Sequence, residues 1–337
     1  MRQSGRTLAF VLVVASLVQT APAFGPVVLS TDIYTYWDYG RIAAVHGGNP
    51  YEDEPRSYPD DPAYARMGAD WRDTTSVYGP GFTLASEAHA RAVGDSADAA
   101  VYAYKALAGL AMVATAVLAG MLAGPFAAAF VGWNPLLALH FAGGGHNDAW
   151  MMALVLAALV LRARGRPRLA GAAWAASIAV KWVSLVFLPL RALEARRLGI
   201  RVGHLGFIAA GAVIAAVATW RYGLDWIGAL GPTAGNLADK SRYSVPGRLS
   251  ALGVPEDAAS VALAAGFAVA YVWLLREAWR GRARLGLAAG LLLVVTPWLL
   301  PWYAVWAVAL AAVEEDLPAR LLALGISGYL LWPYVPL

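Results

Sequence analysis

The chain has 337 residues, of which 59% are hydrophobic and only 14% charged, whereas a soluble domain carries about a quarter charged residues. Apolar stretches recur from end to end, so lipid is the dominant solvent. The net charge of +4 comes from short arginine clusters between apolar stretches, which argues against nucleic acid, and the lack of cysteine excludes disulfides, thiolate metal sites and a cysteine nucleophile.

The first predicted span is about Leu8–Leu29, and Arg2 and Arg6 ahead of it place the N-terminus on the cytoplasmic side. Leu8–Val18 followed by Ala21-Pro22-Ala23 also fits a cleaved signal peptide. The apolar character continues to Leu29, so a retained anchor is preferred. Residues 30–97 form the one long polar region, an external first loop. Its eleven acids against five bases give −6. Gly47-Gly-Asn-Pro50, Tyr58-Pro59 and Tyr78-Gly-Pro-Gly81 mark turns. Between them, 34–46, 62–71 and 80–93 are expected as short helices on or dipping into the membrane surface.

A second span, about Ala99–Ala123, meets a tight turn at Gly124-Pro125. A third, about Phe126–Phe141, contains Asn134-Pro135 and is kinked or short. Gly143-Gly-Gly-His-Asn-Asp148 follows on the outer side, and a fourth span, about Ala149–Leu161, exits into Arg162-Ala-Arg-Gly-Arg-Pro-Arg168. The next apolar stretch, Leu169–Leu190, has basic clusters at both ends and Lys181 near its middle. A pair of short helices that enters and returns, breaking near Lys181–Ser184 and lining a cavity, is preferred to a single crossing that violates the charge rule. Later spans are about Val202–Trp220, Ala258–Leu275, Leu285–Leu299, Trp302–Val313 and Ala319–Trp332, with 221–257 as a second external loop. The expected class is an all-α polytopic protein of the plasma membrane, with nine or ten spans in a single membrane-integral domain over 1–337.

Four clusters carry chemistry. Asp32-Ile-Tyr-Thr-Tyr-Trp-Asp38-Tyr39 sets two acids among aromatics, and in a helix Asp32, Tyr36 and Tyr39 share a face; an interfacial aromatic belt is the plainer reading. His146-Asn147-Asp148, behind three glycines, can orient a phosphate or simply cap a helix. Lys181 inside an apolar stretch needs a partner, either an anionic ligand or Asp148, or else snorkels to the inner face. Lys240, Ser241, Arg242 and Tyr243 offer donors to an anion, or form a solvated loop. A transporter or lipid-linked sugar flippase would use the same intramembrane lysine and broken helices, and a non-catalytic assembly subunit is a further possibility.

Read in order, these clusters resemble the polyprenol-phosphate-sugar-dependent glycosyltransferases of the membrane-integral GT-C fold, above all the actinobacterial polyprenol-phosphomannose-dependent mannosyltransferases. The matching stretches are Ser30-Thr-Asp-Ile-Tyr-Thr-Tyr36, Gly47-Gly-Asn-Pro-Tyr51, Val77-Tyr-Gly-Pro80, Asn134-Pro135, Gly145-His-Asn-Asp148, Val180-Lys-Trp182 and Leu300-Pro-Trp-Tyr-Ala-Val-Trp306. In that family an aspartate early in the first external loop is the catalytic base, and Asp32 occupies that position. The resemblance implies an inverting transfer of a sugar, above all mannose, from a polyprenyl-phosphate donor to a lipid or glycan acceptor at the outer face. Lys181, Arg242, Lys240 and His146 are then candidates for the leaving phosphate. Tyr34, Tyr36, Trp37 and Tyr78 are candidates to stack on sugar, and Asn49, Tyr51, Asn147, Asp148 and Tyr243 complete the substrate-binding set. Asp38 ranks as a supporting candidate. Cationic side chains can meet a monophosphate leaving group, so no metal or cofactor beyond the donor is demanded. Family members often carry further C-terminal spans, so this chain, which stops soon after Trp306, reads as a minimal member with a different acceptor.

Overall fold

The computed structural model describes residues 2–27, 29–229 and 241–335, and every regular element among them is helical. Among the described residues, four helices are long and apolar enough to cross a membrane: Gly5–Phe24, Ala97–Gly132, His204–Tyr222 and Asp257–Trp279. The other expected spans are shorter, because glycine, proline and polar breaks interrupt them.

Helix α1 (Arg2–Thr20) packs along α4 (Ala97–Gly132). Two buried polar side chains fasten its end. Gln19 donates to the carbonyls of Gly132 and Asn134 at 3.1 and 3.2 Å. Lys105 of α4, fully buried, donates to the carbonyls of Gly25 and Pro26 at 2.6 and 3.0 Å. Here the lysine charge is met by carbonyl dipoles that the end of a helix leaves free.

The expected turn at Gly124-Pro125 divides α4 into two arms. Ala123 and Gly124 leave helical geometry, Gly124 at φ 82, a conformation glycine adopts without strain. The arms then run back to back. A Cβ on Gly120 would lie 3.2 Å from that of Ala128, and one on Gly132 would lie 3.2 Å from that of Ala116. Small residues let membrane helices approach this closely. Asn134 caps α5 (Pro135–Phe141) through its side chain, and Pro135 occupies the first turn.

Helix α6 (Asp148–Ala163) turns through the arginine cluster into α7 (Pro167–Val180). At Lys181 the backbone becomes extended (φ −152, ψ 128), and a 3-10 segment, Trp182–Val186, leads into α8 (Leu188–Arg197). Helix α9 (His204–Tyr222) runs parallel to α7: Gly203 approaches Pro167, Gly206 approaches Arg168, and Gly171 approaches both Gly203 and Phe207. Parallel neighbours require the chain between them to come back to its starting end. The stretch 169–190 is therefore the entering-and-returning pair, not a single crossing.

The first polar loop differs from its expectation. Helix α2 (Asp32–Ala44) does not lie on a surface; eleven of its thirteen residues are buried, against α3 (Pro80–Val93) and α4. Gly40 makes this possible, since a Cβ there would come within 2.2 Å of the Ser86 carbonyl oxygen. Residues 62–71 form turns and one 3-10 segment, Ala69–Trp71, because Gly68 is extended (φ −62, ψ 141). Ion pairs, each with at least one buried side chain, hold the loop down. Arg41 meets Asp61 at 2.8 Å and Asp95 at 2.7 Å. Glu87 of α3 receives Arg221 at 2.8 Å and the Tyr222 hydroxyl at 2.7 Å.

After α9 come a short turn of helix, α10 (Asp225–Gly228), then α11 (Val245–Ala251), α12 (Glu256–Trp279), α13 (Leu285–Val295), α14 (Ala304–Ala312) and α15 (Leu317–Leu331). Helices α13 and α14 form a hairpin whose open end is tied by Glu314, which accepts from the Leu285 and Gly286 amides at 2.7 and 2.9 Å, and by Arg284 on Asp316 at 2.7 Å.

The first loop meets the returning pair at Gly79, where a Cβ would fall 2.2 Å from the Ala179 carbonyl oxygen. Gly79→Ala is expected to destabilise the protein by about 1–3 kcal/mol, read as a lower midpoint of SDS-induced unfolding from detergent micelles.

Candidate active site

A cavity of about 370 Å³ lies where α2, the turn before α3, the Lys181 break and the Leu300–Trp306 segment meet. One part of its wall carries Asp32, Tyr36, Tyr78, Lys181, Trp302 and Tyr303; another carries Leu185, Val186, Leu292 and Leu300. It is thus polar and aromatic on one side and aliphatic on the other.

Asp32 is the first residue of α2, its backbone amide donating to Ser30 Oγ at 3.1 Å. A carboxylate there is favoured by the helix dipole. Its Oδ2 lies 3.4 Å from Nδ1 of His146, and the same nitrogen lies 3.4 Å from the Tyr36 hydroxyl. The His146 ring stacks on Trp302 with centroids 3.6 Å apart and planes at 13°. It is fully buried and does not line the cavity; it backs Asp32 from behind. The glycines before it explain the close fit. Gly145 sits at φ 68, and a Cβ on it would come within 2.6 Å of the Ile33 side chain, so only glycine lets α2 settle here.

Asp148 opens α6, fully buried. Its Oδ2 accepts from Lys181 Nζ at 2.7 Å and its Oδ1 from Trp306 Nε1 at 2.6 Å. Lys181, which remains on the cavity wall, also lies over the Tyr303 ring at 4.7 Å, a cation–π contact. Tyr303 in turn stacks on Trp306 at 4.4 Å. Asn147 is buried with neither end of its amide bonded.

Asp32, Tyr36, Tyr78 and Lys181 therefore share one wall, with His146 and Asp148 immediately behind it. Other candidates stand apart. Tyr34 packs against the core. Tyr51 donates to the Tyr78 carbonyl at 3.1 Å and to Thr83 Oγ1 at 2.8 Å, fixing the Tyr78 backbone from outside the cavity. Asn49 donates to Asp225 Oδ2 at 2.9 Å and to the Tyr222 carbonyl, fastening the loop to α9 and α10. Arg242 donates to the Tyr243 hydroxyl at 2.7 Å, and Tyr243 reaches Tyr334 at 3.3 Å, so neither side chain lines the cavity. Lys240 lies outside the described residues. Trp71, Leu292, Thr296 and Trp298 also line the wall; none belongs to the four clusters, and only contact across the fold brings them here. Among the described residues, no three of histidine, aspartate and glutamate are grouped to hold a metal ion.

A carboxylate and a paired lysine thus face one cavity inside an all-helical bundle with membrane-length helices, and the comparisons with known proteins make this bundle an enzyme. The chain belongs to the alpha-(1->6)-mannopyranosyltransferase family, a family of glycosyltransferases: residues 4–197 match the model of its N-terminal domain. It is 31% identical to alpha-(1->6)-mannopyranosyltransferase A of Mycobacterium tuberculosis over 98% of this chain and 70% of that relative. It is 28% identical to alpha-(1->6)-mannopyranosyltransferase B of Corynebacterium glutamicum over 88% of this chain and 56% of that protein. No solved structure matches.

Asp38 is buried behind the site, and neither carboxylate oxygen finds a hydrogen bond. Burial, and then the neighbouring Asp61 carboxylate, raise it from 3.8 to about 7, against the lowering effect of Arg41. The folded chain thus holds a proton that the unfolded chain releases near pH 4. The stability this proton confers is complete below about pH 4 and lost as pH rises to about 7. Asp38→Asn is therefore expected to exceed the parent in stability by about 1–3 kcal/mol at pH 8 and to match it at pH 4, measured by unfolding midpoints across pH.

Proposed function

We propose that the chain transfers a mannosyl residue, with inversion, from a polyprenyl-phosphate donor to a lipid or glycan acceptor at the external membrane face. The observation that carries this reading is that Asp32 and Lys181 face one cavity that also has aromatic wall and an aliphatic part formed by Leu185, Val186, Leu292 and Leu300. A lipid-phosphate sugar has three parts of matching chemistry: an isoprenoid tail for Leu185, Val186 and Leu292, a phosphate for Lys181, and a sugar for the aromatic side by Asp32.

In the transfer, an acceptor hydroxyl attacks the anomeric carbon and gives its proton to Asp32. The new glycosidic bond forms as the bond from the anomeric carbon to the phosphate oxygen breaks. Polyprenyl phosphate departs with the electron pair, its charge met by Lys181. Asp148 holds Lys181 in place, and His146, itself met by the Tyr36 hydroxyl, orients the Asp32 carboxylate. An inverting enzyme that forms an α-linkage, as the relatives' names specify, needs a β-linked donor. The reading assigns no step to a divalent metal. Membership of a glycosyltransferase family weighs against the transporter or flippase alternative.

Asp32→Asn is expected to lower transfer from polyprenyl-phosphate mannose by at least about 100-fold, while the protein still inserts and still binds the lipid phosphate. Retained turnover would remove Asp32 from the role of base.

A further inference from the structure

A second cavity, about 280 Å³, lies between α6, α7, α8 and α9 at the end of the bundle away from Asp32. Asp148 and Lys181 mark one end of the α6–α7 hairpin; Arg162 and Ala170, which line this cavity, mark the other. Along α6 the separation from Asp148 to Arg162 is about four turns of helix, roughly 20 Å at 1.5 Å per residue, so this cavity is not part of the proposed transfer site.

Its walls are aliphatic and aromatic, from Leu159, Leu188 and Phe207, but four polar side chains also line it: Arg162, Arg191, Trp174 and His204. Nε of Arg162, Nε of Arg191 and Nε1 of Trp174 are each buried and find no hydrogen-bond partner. Arg191 has an ion pair with Glu194. Arg162 has none among the described residues, and the charges of Arg162 and Arg191 repel each other. The segments 162–168 and 191–201 together carry eight arginines against one acid, Glu194. Apart from the Glu194 pair of Arg191, burying guanidinium Nε atoms beside a like charge without an acceptor is costly. An anion with several oxygens removes that cost, since a guanidinium fork fits a phosphate.

We propose that this cavity binds the headgroup of an anionic glycerophospholipid, its phosphodiester between Arg162 and Arg191 and its glyceryl and first acyl carbons against Leu159, Leu188 and Phe207. A lipid is favoured over free phosphate because aliphatic wall adjoins the donors directly, and basic pockets between membrane helices suit such headgroups. The bound lipid clamps the base of the hairpin whose tip carries Lys181.

The test is native mass spectrometry of the purified full chain with added phosphatidylglycerol or phosphatidylcholine of the same acyl chains. The parent is expected to retain about tenfold more phosphatidylglycerol than phosphatidylcholine. R162Q/R191Q loses this preference, and so in large part does R162Q alone, which breaks no ion pair. R164Q, an exposed neighbour outside the cavity, keeps it. Equal retention of the two lipids, parent-like retention in R162Q/R191Q, the same loss in R164Q, or displacement of phosphatidylglycerol by millimolar inorganic phosphate would each overturn the proposal. Since lipid retention is read without turnover, failure here is distinct from failure of the transferase reading.

Discussion

A lysine can end a helix inside a membrane protein only where a partner waits for its charge. Here the partner is Asp148, fully buried at the start of α6 and 2.7 Å from Lys181 Nζ. One contact therefore joins the start of one arm of a hairpin to the end of the other. It fixes the height at which the chain stops rising and turns back through Trp182–Val186 into α8. The return in turn makes α9 parallel to α7, with glycines on both packed against backbone. The second oxygen of Asp148 takes the Trp306 indole at 2.6 Å, which carries the same constraint into α14. Breaking so buried a pair leaves an uncompensated charge, so position and stability are not separable at this point of the fold.

The other half of the site depends on how the first loop is seated. Asp32 reaches the cavity because α2 is sunk between α3 and α4, where Gly40 and Gly145 let backbone and side chain approach. Arg41, Glu87 and their partners hold it there. These latches all lie beyond the carboxylate in sequence, from Arg41 to Tyr222, so the seat of Asp32 depends on contacts made by the chain that follows it.

Much of this was legible in the chain itself. Gly124-Pro125 announces a reversal, and the basic clusters on both sides of Lys181 demand that the stretch between them return. Both are local rules of charge and backbone. What escaped depends on contacts across the fold. His146 is a candidate for phosphate on its chemistry, but Trp302, 156 positions on, stacks over its ring, and the cavity lies on the far side of Asp32. Asn49 sits in a matching motif, but its amide is spent on Asp225 and the Tyr222 carbonyl. Arg242 looks free in sequence and is taken by the adjacent tyrosine. Trp71 belongs to no pattern and still forms cavity wall.

The fastening of the first loop has a wider bearing. The chain has no cysteine, so nothing in its sixty-odd polar residues waits on an oxidant or on pairing of thiols. Its closures are Arg41 with Asp61 and Glu87 with Arg221 and Tyr222, shielded from bulk ions and therefore little affected by ionic strength. Such a loop is seated without any thiol chemistry, by side chains that find their partners as the chain folds.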